Sequence, residues 1–387
     1  MIQLNPDNMV RVELTPKEQK MLLKYCQSID RNIYERIMYA PEGTMNLLIE
    51  DCQYLRGCIQ LEMEHITIPK IQNILGRISN KLSTNPVTRS VAEEIEGQNF
   101  ESMDDLNNHL QGFMMERNTA PDPEMGGLSP EQVTLLIYSR WDREHFPLKF
   151  NAELEMSDLK QSSFFQNVRT LLNTLLEMEK EKTATVRGNL NRKLVKTIHD
   201  RLILEKRDKE FVSHYKKVLN EEDVFPLHIA RIVSGCAGLI HKRKDKFLVK
   251  KKYQKLLSDE NAGELYTLLF RTYFETFNLS YLDGFPELYS IQHTIPYSLL
   301  RLKELCKGDT SLEGLHSKIL LPAVQEEVRE EIPKLVQADW IIRSRIIRPL
   351  EAFGLLNCTY EKSNMPFSQI TKCRKTPLFD KFMKAEW

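Results

Sequence analysis

Residues 227–257 read LHIARIVSGCAGLIHKRKDKFLVKKKYQKLL. Leu227, Ile229, Ile232 and Val233 recur at helical spacing, and Gly235-Cys236-Ala237-Gly238 stops the helix they predict. Leu239-Ile240-His241 then opens a strand, Lys244-Asp245 makes a tight turn, and Phe247-Leu248-Val249 returns antiparallel. Tyr253, Leu256 and Leu257 close the segment with a short helical turn.

The same order recurs from Trp340 to Phe382. Ile341, Ile342, Ile346, Ile347 and Leu350 form an apolar helix, and Gly354-Leu355-Leu356 starts a strand. Ser363-Asn364-Met365-Pro366 turns it, Phe367 to Ile370 returns, and Leu378, Phe379 and Phe382 close. A weaker echo spans Phe164 to Ile198. A helix followed by a hairpin and a closing turn resembles a winged helix. The predicted class is therefore mainly α with small antiparallel β-hairpins (α+β), with tandem winged-helix-like units in the C-terminal two-thirds.

Upstream, Val10, Val12 and Leu14 alternate with polar residues as a strand does. Thr15-Pro16-Lys17-Glu18 carries the residues of a capping box with proline in the first helical turn. A second strand is predicted at Thr44 to Ile49, then two helices parted at Ile66-Thr67-Ile68-Pro69. Ser129-Pro130-Glu131-Gln132 repeats the helix-start signature. The expected organisation is a small α+β module over 1–84 and a linker with one short helix over 85–127. A helical, winged-helix-like region (128–205), a winged-helix-like unit with an aromatic helix (206–300) and a C-terminal winged-helix-like unit (301–387) follow. Tyr266, Phe270, Tyr273, Phe274, Phe277 and Tyr281, three and four apart, read as a core seam of that aromatic helix.

The 387 residues are 41% hydrophobic and 28% charged, which excludes wholesale disorder. No run approaches the roughly 18 apolar residues of a membrane span, and Met1 to Asp7 lacks the form of a signal peptide. The seven cysteines form no CxxC pair, which suits free thiols in a reducing, cytoplasmic setting. Net charge is zero but unevenly spread. Residues 1–135 hold 12 Lys+Arg against 20 Asp+Glu, and residues 186–255 hold 19 against 8. Such asymmetry suits a nucleic-acid surface, or a partner of opposite charge.

The candidate contact residues follow from that basic middle. Lys242, Arg243, Lys244 and Lys246 sit on and around the hairpin turn, Lys250, Lys251 and Lys252 follow it, and Arg187, Arg192 and Lys193 could extend the surface. The bland alternative is a solvated hairpin whose lysines protect an exposed edge from mispairing. Arg231 and Ser234 are the few base-reading groups on the helix before the hairpin. Catalytic and metal signatures are not found. Glu62 and His65 form a single Glu-x-x-His without the second copy a di-iron site needs. His199-Asp200 lacks further partners, Asp142, Glu144 and His145 read as a polar turn, and Cys236 with His241 falls short of four zinc ligands. Cys236 is expected to pack beside Gly235 and Gly238. No cofactor is expected.

Four stretches, Gly126 to Gln132, Gly188 to Lys193, Glu264 to Phe274 and Phe277 to Pro286, together resemble a group of uncharacterised bacterial proteins. Some of these are fused to a small domain first named from a plasmid-borne open reading frame. The resemblance implies a bacterial, cytoplasmic setting and supplies no catalytic residues. The leading expectation is a non-enzymatic binding protein acting through its winged-helix-like units, with a protein as partner. The alternative is DNA binding through the phosphates at 242–252, and a second alternative is an enzyme whose site is assembled from residues distant in sequence.

Overall fold

The computed structural model describes residues 9–26, 29–40, 43–82, 95, 98, 100, 102–205, 208–209, 218–332, 338–361 and 369–387. Of the linker proposed over 85–127, residues 85–94, 96, 97, 99 and 101 lie outside them, as do the turn Ser363 to Pro366 and the start of its return strand. The described chain is mainly α with antiparallel sheets of two or three strands. It forms two compact units, Met1–Met114 and Met115–Trp387.

In the first unit, β1 (Met9–Glu13) pairs antiparallel with β2 (Thr44–Leu48), placing Met9 opposite Leu48 and Glu13 opposite Thr44. Thr15 caps α1 (Pro16–Tyr25) in a full capping box with Glu18. α2 (Arg31–Met38), which no sequence signal announced, α3 (Ile49–His65) and α4 (Pro69–Lys81) complete the bundle. Leu22, Ile37, Leu47, Leu55, Ile59, Leu75 and Ile78 form its core. α5 (Met103–Thr119) carries the chain onward.

The second unit opens with α6 (Pro130–Tyr138), capped by Ser129 and Gln132. β3 (Leu148–Phe150) pairs with the last strand, β9 (Met383–Ala385). Between them, two stretches share an order of helix, short strand, further helices and hairpin, with one more described helix in the second. The first series is α7 (Ser163–Glu177), a short extended segment at 183–184, α8 (Arg192–His199), α9 (Phe225–Cys236) and the hairpin β4 (Ile240–Arg243) with β5 (Lys246–Val249). The extended segment lies beside the β5 end of the hairpin. Thr183 and Ala184 donate their N–H groups to Asp245 O at 3.0 and 2.9 Å, and Phe247 N donates to Thr183 Oγ1 at 2.8 Å. The stretch from Phe164 to Ile198 is thus no third copy. It supplies the first two helices and the strand of the series that ends in this hairpin.

The aromatic helix α10 (Ala262–Arg271) continues through a π-helical turn, Thr272–Thr276. Tyr266, Phe270, Tyr273, Phe274 and Phe277 are buried, as the seam requires, whereas Tyr281 is half exposed. α11 (Tyr289–His293) leads to the second series: α12 (Ile295–Leu305), β6 (Thr310–Ser311), α13 (His316–Ile319) and α14 (Pro322–Glu331). A helix then runs as α15 (Ala338–Ile342), a π-helical turn (Arg343–Ile347) and α16 (Arg348–Ala352), before the hairpin β7 (Leu356–Glu361) and β8 (Gln369–Lys375). The sheet order is β6-β8-β7, so the short strand again lies beside the returning hairpin strand. α17 (Pro377–Phe382) delivers β9. Ile341, Ile342, Ile346, Ile347 and Leu350 are fully buried, each at 0% exposure, matching their apolar spacing.

A basic two-pronged surface as candidate functional site

β4 and β5 pair in simple register, Ile240 with Val249 and Arg243 with Lys246. One face of the hairpin turns Ile240, Phe247 and Val249 into the core, while His241, Lys242, Arg243 and Lys244 stay exposed. Lys244 makes the turn with a φ of 54°. The Lys182 ammonium, 3.1 Å from Asp245, holds that carboxyl below the usual carboxylate range.

A second, shorter hairpin lies beside the first. Asn191 N donates to Thr183 O at 2.8 Å, Thr185 N to Asn189 O at 2.8 Å, and Gly188 N to Thr185 O at 3.0 Å. That last bond makes a β-turn with Val186 and Arg187 at its two central positions. Gly188 follows at φ 89°, a conformation that suits glycine after such a turn. Lys242 Nζ donates to Val186 O at 3.3 Å, and Lys246 Nζ donates to Glu179 O and Lys180 O at 3.1 and 2.9 Å. Lys242 therefore ties the two prongs together, and Lys246 ties the first hairpin to the turn that follows α7.

This geometry sorts the ten cations singled out by sequence. Lys242 and Lys246 brace the prongs. Lys193 pairs with Glu181 at 2.6 Å, and Arg192 Nε donates to Asn220 Oδ1 at 2.9 Å. Lys250 is half-buried. Lys252 lies over the Tyr253 ring at 4.4 Å and, like Lys251, is exposed at the start of the closing turn. Arg187, Arg243 and Lys244 project from the two tips with no ion pair or hydrogen bond to their side chains among the described residues. Lys180 and Lys182, part of the same surface, went unnoticed in the sequence because two glutamates interleave them.

The helix under the hairpin has a different role. Leu227, His228, Ile229, Ala230, Val233 and Ser234 of α9 are all buried. Ser234 Oγ donates back to Ala230 O at 2.6 Å. Arg231 donates through Nε to Glu221 and lies 5.7 Å over the Phe247 ring. Both side chains suggested for base contact are thus spent inside the fold.

Glu221, fully buried, anchors a polar chain. Its carboxylate accepts from Leu190 N, from Arg231 Nε and from His228 Nδ1 at 2.6 Å, and His228 Nε2 lies 2.7 Å from Tyr281 Oη. Burial pushes the Glu221 carboxyl up, but His228, Arg231 and the Leu190 amide outweigh it and leave it below its ordinary value. Leu190 closes the short hairpin, so the same carboxylate that anchors α9 also fixes the base of the Val186–Arg187 prong.

The other sequence candidates stand apart from this surface. Cys236 is exposed rather than packed, because it ends α9 on the solvent side. Among the described residues the half-buried His199 ring bonds its neighbour Asp200, at 3.2 Å, and gathers no further acidic partner. A cleft of about 340 Å³ is lined by Asn167, Glu205, Asp208, Phe225, Tyr273 and Arg348 among others, and by neither His145 nor His199. Among the described residues no group of three or more His, Cys, Asp or Glu side chains could hold a metal ion, and no helix is long and apolar enough to cross a membrane.

No curated protein and no solved structure matches the chain. A family model does match part of it: residues 160–263, from just before α7 to the start of α10, are similar to the Y4jL N-terminal domain.

Proposed function

We propose that the chain is a non-enzymatic binding protein whose two series are winged-helix-like units, and that the first contacts nucleic-acid phosphates through its basic prongs. The observation that carries this reading is the placement of Arg187, Arg243 and Lys244 at two adjacent, braced tips, their side chains in no ion pair among the described residues. Charge held on a rigid support loses little entropy on meeting a polyanion, and each phosphate neutralised releases counterions. The burial of α9 supports backbone contact rather than base reading by that helix. The order of elements, with the short strand beside the returning hairpin strand in both series, supports the winged-helix-like reading. A bacterial, cytoplasmic setting belongs to the same proposal and rests on the sequence resemblance.

The test is anisotropy of labelled duplex DNA titrated with the full chain, from about 50 to 200 mM salt. Binding should weaken steeply with salt, and the Arg243→Ala, Lys244→Ala double variant should reduce the slope by about two. Absence of binding at the low-salt end would sink the phosphate reading and leave a protein with an acidic face as the partner to seek.

A further inference from the structure

Val186 is 100% exposed. An apolar side chain gains nothing at a phosphate, yet here it shares the central positions of a β-turn with Arg187, at the outermost point of a prong. That prong is closed by a single turn and stiffened by the Thr183–Asn191 and Thr185–Asn189 hydrogen bonds and by Lys242 on the Val186 carbonyl. The neighbouring tip carries Arg243 and Lys244 beside Asp245, which Lys182 pairs, and holds no exposed apolar residue. The two tips thus differ in chemistry: one suits a phosphate backbone, the other a groove with apolar walls and negative potential.

The B-DNA minor groove is about 6 Å wide, and over A·T-rich sequence it narrows and deepens its negative potential, which favours an inserted arginine. Minor-groove binders commonly set an apolar residue beside such cations as a wedge at a base step. We infer that the Val186–Arg187 turn enters the minor groove of A·T-rich duplex DNA while Arg243 and Lys244 hold the flanking backbone. This inference rests on the phosphate-binding reading above and names its substrate class.

The experiment compares three duplexes of equal length with the full chain at one salt concentration: A·T-rich, G·C-rich, and one in which inosine replaces guanine. Inosine lacks the amino group that guanine places in the minor groove and leaves the major-groove acceptors unchanged. The expected order has A·T-rich and inosine duplexes bound alike, and about tenfold more tightly than G·C-rich. Arg187→Ala should remove that difference, whereas Arg243→Ala should weaken all three equally. Both residues are exposed, so unchanged melting curves will verify that each variant folds. Equal binding of all three duplexes by the wild type would overturn the inference and leave the phosphate reading standing. So would a uniform loss on Arg187→Ala. Failure to bind any duplex would overturn both.

Discussion

Arg345 and Asp283, far apart in sequence, meet in a two-armed ion pair inside the second unit: Nε lies 2.8 Å from Oδ2 and Nη2 2.9 Å from Oδ1. Arg345 is fully buried, and its remaining donors reach Pro286 O at 2.8 Å and Glu287 O at 3.0 Å. Ser344 Oγ adds a bond to Asp283 Oδ2 at 2.7 Å. One guanidinium therefore fixes the 283–287 loop against the π-helical turn of the long helix, and satisfies nearly all its own donors in doing so.

Removing one partner of such a pair leaves an uncompensated buried charge. Arg345→Ala is expected to destabilise the protein by about 3–5 kcal/mol, read as a lower midpoint in denaturant unfolding. Removing both charges together, with Asp283→Ala and Arg345→Met, should recover part of that loss, because an apolar pair carries no desolvation cost. A double variant no better than the worse single would show that the loop depends on the carbonyl bonds instead.

Glu221 makes a pH-dependent contribution. Against burial, His228 and Arg231 hold its folded pKa below the ordinary carboxylate value, so its ionised form stabilises the fold above that ordinary value, and the contribution is lost as pH falls through the lower folded pKa. Glu221→Gln should therefore cost roughly 1–3 kcal/mol at neutral pH. The gap between the two proteins in thermal melts should narrow as pH falls below the ordinary carboxylate range. A gap that stays constant with pH would assign the loss to shape rather than charge.

Local signals in the sequence carried much of this architecture. Thr15 with Glu18 and Ser129 with Gln132 announce their helix starts because a capping box is built from residues three apart. The hairpin at 240–249 was legible from alternation and its turn. Pairings across long separations were not. Nothing local links Glu221 to Tyr281 or Asp283 to Arg345, and an arginine in the helix before a basic hairpin reads as a nucleic-acid contact until the buried carboxylate beside it is known. The cations of the candidate surface were visible as a cluster. Their division into braces such as Lys242 and free tips such as Arg243 depends on the neighbouring backbone carbonyls, which no composition rule locates.

Thiol reactivity should divide along the same lines of burial. Cys236 is exposed, whereas Cys26, Cys52, Cys58, Cys306 and Cys373 are buried. Burial pushes the Cys26 thiol up to about 12 and raises Cys358 as well, keeping both protonated and unreactive near neutral pH. An aryl disulfide reagent should modify Cys236 in the native protein within minutes and reach Cys306 and Cys373, whose sulfurs lie 3.5 Å apart, only on unfolding. Peptide mapping of the labelled sites checks this, and early label on Cys306 or Cys373 would contradict their burial.

Gly263 sets two opposing effects against each other. It stands in the first turn of α10, where alanine would ordinarily favour the helix by about 1 kcal/mol. A methyl group there, however, would lie 2.3 Å from Ala152 O and 2.5 Å from Leu154 N, and both obstacles are backbone. The chain after β3 crosses the helix at this point, so relief requires moving either the crossing segment or the helix start. Overpacking of this kind costs typically about 1–3 kcal/mol, and against rigid backbone it should outweigh the propensity gain. Gly263→Ala is expected to lower the melting temperature, while Gly235→Ala, with nothing within 4 Å of the added methyl, should leave it unchanged or raise it slightly. Equal behaviour of the two variants would mean that the 152–154 segment yields freely, and that the close approach at Gly263 does not hold β3 in place.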